Sequence, residues 1–100
     1  MTKFRTYELA KELYQETKRI KLYGEMKSQF ERAMLSVVLN ISEGSGKPTR
    51  KDRARFYFTS YASLKEVRTI LDLSNNTQYI TKADILSAHI YKLSQNPGGS

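Results

Sequence analysis

The sequence has no cysteine, one histidine and two prolines. The absence of cysteine excludes disulfide scaffolds, thiolate zinc sites and cysteine nucleophiles. A single histidine, His89, excludes metal sites built from several histidines, so we expect neither a metal nor a cofactor. No apolar run approaches the roughly 20 residues of a membrane-spanning helix, and the N-terminus lacks the apolar stretch of a signal peptide. We therefore expect a cytoplasmic protein with no membrane contact.

Acidic residues are also few. Ten Asp and Glu residues oppose 17 Lys and Arg residues, which gives the 100-residue chain a formal charge of +7. The length allows one domain, and 39% apolar residues is an ordinary globular composition. A basic surplus of this size makes polyanions such as RNA or DNA the first partners to consider.

Alternating strand patterns are missing, and apolar residues instead recur every three or four positions. Met26, Phe30, Ala33, Val37 and Ile41 form one such stripe. The pattern predicts an all-α domain, an antiparallel up-and-down four-helix bundle. The predicted helices span about residues 4–22, 25–43, 49–75 and 81–95, followed by a disordered tail at 96–100.

Two predicted helix starts carry the capping-box pattern, in which a threonine is followed three residues later by an acidic residue. Thr49 with Asp52 marks the third helix, and Thr81 with Asp84 marks the fourth.

Residues 33–41 are apolar at seven of nine positions, nearly all round the predicted helix. A strand over residues 37–41 is the alternative, which the continuous helical period disfavours. A helix buried on two sides implies self-association, because every helix of a four-helix monomer keeps one outward face. The predicted interface residues are Leu35, Val38, Leu39, Phe58 and Tyr61.

A polar strip follows one face of the second helix. It is either a solvated face or a buried seam whose partners on the third helix include Ser60, Ser63 and Glu66. The first pair that we expect is Arg32 with Glu66. The strip consists of Gln29, Arg32, Ser36, Asn40 and Glu43.

Basic residues concentrate at the start of the third helix, with Asp52 as the one acidic residue among them. Cations there oppose the helix dipole and cost roughly a few tenths of a kcal/mol each. Stability does not explain this placement, whereas polyanion binding does. In an up-and-down bundle the two chain termini lie at the same end as this loop. The predicted nucleic-acid-binding residues are Lys3, Arg5, Lys47, Arg50, Lys51, Arg53 and Arg55, with Lys92 near them.

Catalytic groupings are not evident. The segment Gly44–Thr49 lacks the spacing and the strand of a phosphate-binding Walker motif, and the ten acidic residues form no convergent pair. We therefore expect no enzyme. We expect a non-enzymatic accessory that binds nucleic acid. The alternative is an oligomeric interaction scaffold, and a small ligand-binding or enzymatic bundle is a weaker third interpretation.

A longer motif covers Gln29, Arg32-Ala33, residues 36–44 and Gly46-Lys47. It resembles the signature of the four-helix-bundle proteins encoded in 23S rRNA intervening sequences. Arg55-Phe56, residues 63–67 and residues 77–80 resemble later elements of that family. Val38 stands where the family usually has proline.

The resemblance implies a homopentameric barrel. It also implies kinship with the accessory variability determinants of diversity-generating retroelements, which are basic pentamers associated with nucleic acid and a reverse transcriptase. From it we expect RNA or DNA, a reverse transcriptase and further copies of the chain as partners.

Overall fold

Four α-helices build the protein, whose residues 3–99 are described by a computed structural model. The predicted all-α class is confirmed, since these residues contain no strand. Each helix packs against its neighbours along the chain, and the first also packs against the last. The helices are α1 (Lys3–Thr17), α2 (Gly24–Ser45), α3 (Arg50–Leu73) and α4 (Ile80–Gln95), with a short 3-10 helix at Thr77–Tyr79.

α1 ends five residues earlier than the sequence predicts. The buried Thr17 side chain donates its Oγ1 hydrogen to the Leu13 carbonyl at 2.8 Å, and the chain then turns. Ile20 and Leu22 pack against the core from this connection rather than from the helix. Gly24 begins α2 with a φ of +57°, a left-handed conformation that costs glycine little.

The two predicted capping boxes have different outcomes. At the start of α3, the Asp52 amide donates to Thr49 Oγ1 at 3.2 Å, so this cap is confirmed. The Thr81 cap is wrong, because α4 begins at Ile80 as a direct continuation of the 3-10 helix and has no side-chain cap. The Asp84 carboxylate instead binds Arg68 on α3.

The predicted apolar stripe of α2 lies at the centre of the core. Val37 and Ile41 are at most 1% exposed, and Leu64, Leu86 and other apolar side chains of α3 and α4 meet them there. The hydroxyl of Ser60 donates to the Val37 carbonyl at 2.8 Å, which joins α3 to α2 inside the core. Burial of this apolar surface is the main favourable term in folding.

α2 and α3 are in tight contact where Gly44 faces Tyr57. A Cβ atom on Gly44 would lie 2.7 Å from Tyr57 Cε1 and 3.2 Å from the Phe56 Cβ. The Tyr57 side chain is fully buried, and its hydroxyl has no hydrogen-bond partner in the described part of the chain. Burial raises the pKa of Tyr57.

The C-terminal tail lies against the α2–α3 loop. Residues 96–99 have no regular secondary structure, yet Pro97 is buried, and its carbonyl accepts a hydrogen bond from Arg53 Nη1 at 3.4 Å. The tail and the α2–α3 loop therefore share one end of the bundle, as up-and-down topology requires. Within residues 3–99, no helix combines the length and the apolar character needed to cross a bilayer.

Gly44→Ala is expected to destabilise the protein, because the added methyl group has no room beside the Tyr57 ring. Overpacking of this kind typically costs about 1–3 kcal/mol. Urea unfolding followed by circular dichroism measures the change. Gly46→Ala is the matched control, since its Cβ would meet the Glu43 and Ser42 carbonyls at the ordinary distances of 3.6 and 3.9 Å. Equal unfolding midpoints for the two variants would contradict the close approach of α2 and α3.

Candidate nucleic-acid interface

Most of the predicted cations lie at the end of the bundle where the α2–α3 loop and the C-terminal tail meet. We call this region the basic end. Arg5 and Lys92 belong to it, because both lie near enough to His89 to act on its pKa. Lys3 begins α1, but its side chain lies outside the described residues. The basic end comprises Arg5, Lys47, Arg50, Lys51, Arg53, Arg55 and Lys92.

Arg50 and Lys51 are the most available cations of the basic end. Both occupy the first turn of α3 and both are exposed. Neither has a side-chain partner among residues 3–99. The free N–H groups of a helix N-terminus favour anions. A phosphate at this point would therefore be attracted both by these N–H groups and by the two cationic side chains.

Arg53 has a structural role that the sequence does not predict. Its Nε donates to the Lys47 carbonyl at 2.5 Å, and its Nη1 donates to the Pro97 carbonyl. The guanidinium therefore joins α3, the loop and the tail, and it is only partly exposed. These bonds hold the α2–α3 loop in place beside the start of α3, and the neighbouring cations belong to these two segments.

Lys47 and Arg55 both contact the Phe56 ring, each with its charge 5.0 Å from the ring centroid. Each also has an acidic neighbour, Glu43 at 3.8 Å and Asp52 at 3.6 Å respectively. Ion pairs of this length at the surface are weak. A phosphate can therefore replace the carboxylate at small cost, and both cations remain usable for binding a polyanion.

His89 lies on α4, near Arg5 of α1. Its Nδ1 atom is buried without a partner in the described structure. Burial lowers the pKa of His89, and the charges of Arg5 and Lys92 lower it further. The ring is therefore neutral at pH 7, and it adds no positive charge to the basic end.

The five predicted interface residues lie on two different faces. Leu35 and Leu39 are 44% and 52% exposed on the side of α2 opposite its buried stripe, whereas Val38 packs against the core. Phe58 is 46% exposed on α3. The Tyr61 ring contacts the Tyr91 ring of α4, with centroids 5.8 Å apart.

The middle of the predicted polar strip forms a hydrogen-bonded seam between α2 and α3. The hydroxyls of Ser36 and Ser63 are 2.7 Å apart. The Asn40 side-chain amide donates to the Ser36 carbonyl at 2.9 Å and to its hydroxyl at 3.0 Å. These bonds satisfy polar groups that are partly withdrawn from water.

The ends of the polar strip are solvated. Arg32 is exposed and donates to the Gln29 side chain within its own helix, and Glu43 is exposed as well. The expected Arg32–Glu66 pair is wrong, since no ion pair joins these two side chains in the part of the chain that the structure describes. Arg32 and Glu66 are both exposed, so neither needs a protein partner.

One comparison with known proteins places this bundle in a family. The model of the 23S rRNA-intervening sequence protein family matches residues 4–96. The chain belongs to this family. Neither a curated protein nor a solved structure shows significant similarity to it.

This member of the family has three cross-helix ion pairs that the sequence patterns did not predict. Arg68 Nε donates to Asp84 Oδ1 at 2.6 Å, and Lys82 Nζ binds Glu12 and Glu16 at 2.8 and 2.6 Å. The hydrogen bond from Arg68 lowers the pKa of Asp84, and the hydrogen bond from Lys82 lowers the pKa of Glu12. The partners are 16 to 70 residues apart, so no local spacing reveals them.

Arg68→Ala is expected to lower the melting temperature more than Arg32→Ala, because Arg68 joins two helices whereas Arg32 contacts only its own. The lowered pKa of Asp84 also determines how the stabilisation by the Arg68–Asp84 pair depends on pH. The Arg68 pair stabilises the fold above the normal pKa range of a carboxyl group, and that contribution is lost as the pH falls through the lowered pKa of Asp84. The two melting temperatures should therefore converge in acid. A larger loss from Arg32→Ala at pH 7 would contradict the assigned contacts.

Proposed function

We propose that the protein is a non-enzymatic accessory that binds RNA or DNA through its basic end. The observation that carries the proposal is the placement of Arg50 and Lys51, exposed and without partners among residues 3–99, in the first turn of α3. The two positive charges are repelled by the positive end of the helix dipole, and a bound phosphate would offset this repulsion. The family's link to ribosomal RNA intervening sequences supports a nucleic acid as the ligand.

The binding mechanism is electrostatic. Side chains of Arg50, Lys51, Lys47 and Arg55 contact backbone phosphates, while Arg53 holds the loop in place through its bonds to two carbonyls. Contacts to phosphate fix position but carry no sequence information. We therefore expect low sequence specificity, with affinity that falls as salt increases.

Self-association completes the proposed function. Leu35 and Leu39 form an apolar strip on the outer side of α2, and a second copy of the chain would remove it from water. The closed ring that we propose is a homopentamer, which would repeat the basic end around its axis and strengthen its field. In the cytoplasm, such a ring would hold nucleic acid beside a reverse transcriptase of a diversity-generating retroelement.

An oligomeric scaffold is the second candidate function. The observation that favours it is the same strip of Leu35 and Leu39, which needs a protein partner whether or not nucleic acid binds. In this case the charge of +7 attracts an acidic protein. The two candidates differ in whether the isolated protein binds RNA or DNA.

The double variant Arg50→Glu/Lys51→Glu is expected to lose most of the affinity for RNA or DNA. Both side chains are exposed and glutamate is favourable at a helix N-terminus, so the melting temperature should stay the same or rise slightly. Fluorescence anisotropy over a series of salt concentrations measures binding. The log–log salt slope should become shallower by about 0.7 to 0.9 for each phosphate contact that is lost.

The matched control for this variant is Lys18→Glu/Arg19→Glu. It makes the same change in net charge at exposed positions at the opposite end of the bundle. If both double variants lose affinity equally, the effect is net charge and the basic end is not a site. If the unaltered protein binds neither RNA nor DNA at about 50 mM salt, the scaffold takes the place of the nucleic-acid accessory.

Leu39→Glu is expected to dissociate the oligomer, because a carboxylate in an apolar interface is costly to desolvate. Light scattering should show a multiple of the 11.6 kDa chain mass for the unaltered protein and a monomer for the variant. Ile85→Glu is the control, since Ile85 is 49% exposed on α4. A monomeric unaltered protein would contradict the proposed assembly.

A further inference from the structure

Two aromatic side chains of α3 and one of α4 lie at the surface on the side where these helices pack together. We call Phe58, Tyr61 and Tyr91 the aromatic face. Phe58 is 46% exposed and Tyr91 is 48% exposed. A group of large, half-exposed rings is costly for an unbound protein, and apolar patches of this kind mark binding surfaces.

Two rings of the aromatic face contact each other, and the third lies close to one of them in the sequence. The Tyr61 and Tyr91 rings are tilted by 53° with centroids 5.8 Å apart. Phe58 lies three residues before Tyr61 on α3, and residues at this spacing are neighbours on a helix surface. The spacing places Phe58 next to Tyr61 on the α3 surface, and Phe58 and Tyr91 present about half of their area to solvent.

Cations lie on both sides of the aromatic face. Lys65 Nζ is 4.9 Å from the centroid of the Tyr61 ring. In the other direction, Arg55 lies three residues before Phe58, and Lys51 lies one further turn toward the basic end. Both are exposed. At 1.5 Å per residue, Lys51 to Lys65 spans about 21 Å, which is the length of about six stacked nucleotides at 3.4 Å each.

We propose that the aromatic face is a stacking platform for single-stranded nucleic acid, with its phosphates on the flanking cations. This rests on the proposed function and names its ligand, because only unpaired bases can lay their faces on Phe58 and Tyr91. A duplex hides its base faces and would contact only the cations. The strand continues along α3 from the aromatic face to the basic end. Phe58 and Tyr61 are thereby assigned to nucleic acid rather than to the contact between copies.

The experiment compares two labelled probes of equal length, a single-stranded 12-mer of uridine and an RNA duplex, by fluorescence anisotropy. Tyr91→Ala and Phe58→Ala should each weaken single-strand binding about tenfold, the usual effect of losing one stacking ring. Duplex binding should be unchanged. Tyr91→Phe should keep the single-strand affinity, because stacking needs the ring and not the hydroxyl.

Tyr23→Ala is the matched control. Tyr23 is 78% exposed and precedes α2 at the opposite end of the bundle, so its loss should leave both affinities unchanged. Melting temperatures and light scattering on every variant show whether the bundle and its assembly are intact.

The outcomes separate this inference from the proposed function. Binding of both probes with no loss in Tyr91→Ala or Phe58→Ala overturns the stacking platform and leaves the basic end as the site. A change in oligomer mass in these variants with unchanged affinity assigns the aromatic face to a second copy of the chain and also overturns it. If neither probe binds, the proposed function fails as well.

Discussion

The close contact between α2 and α3 is the constraint on which the rest of the structure depends. Gly44 lets the backbone of α2 approach the Tyr57 ring, and the bonds from Ser60 to Val37 and between Ser36 and Ser63 fix the register of the two helices. Because this contact lies near the α2–α3 loop, it also fixes the direction in which the first turn of α3 leaves the bundle. A shift of either helix would move Arg50 and Lys51 with it.

The basic end combines charges that hold the structure with charges that remain available. Arg53 is bonded to two backbone carbonyls, and it keeps the loop and the tail together. Arg50 and Lys51 are exposed without side-chain partners among residues 3–99, and the exposed Arg55 has a weak ion pair with Asp52 and a contact with the Phe56 ring. Surface cations at a helix N-terminus cost stability locally, and the core offsets this cost because Val37, Tyr57 and Leu64 are almost fully buried.

Local patterns predicted the features that depend on neighbouring residues. The helical period of α2 placed Phe30, Val37 and Ile41 in the core, and the Thr49 cap marked the start of α3. The Thr81 cap failed because the preceding 3-10 helix continues directly into α4. The Arg32–Glu66 pair failed because the strip on α2 is only partly covered by α3, so its two ends stay in water.

The sequence by itself determined the all-α class, the apolar stripes and the excess of positive charge, since these follow from composition and from spacings of three or four residues. Only the tertiary structure decided which cations are free. Arg50, Lys51 and Arg53 are close in sequence and chemically alike, yet Arg53 alone reaches the carbonyls of Lys47 and Pro97. The same holds for Tyr61 and Tyr91, whose rings meet because α3 and α4 pack side by side. Contacts between residues distant in sequence depend on how helices pack, and no local pattern records that arrangement.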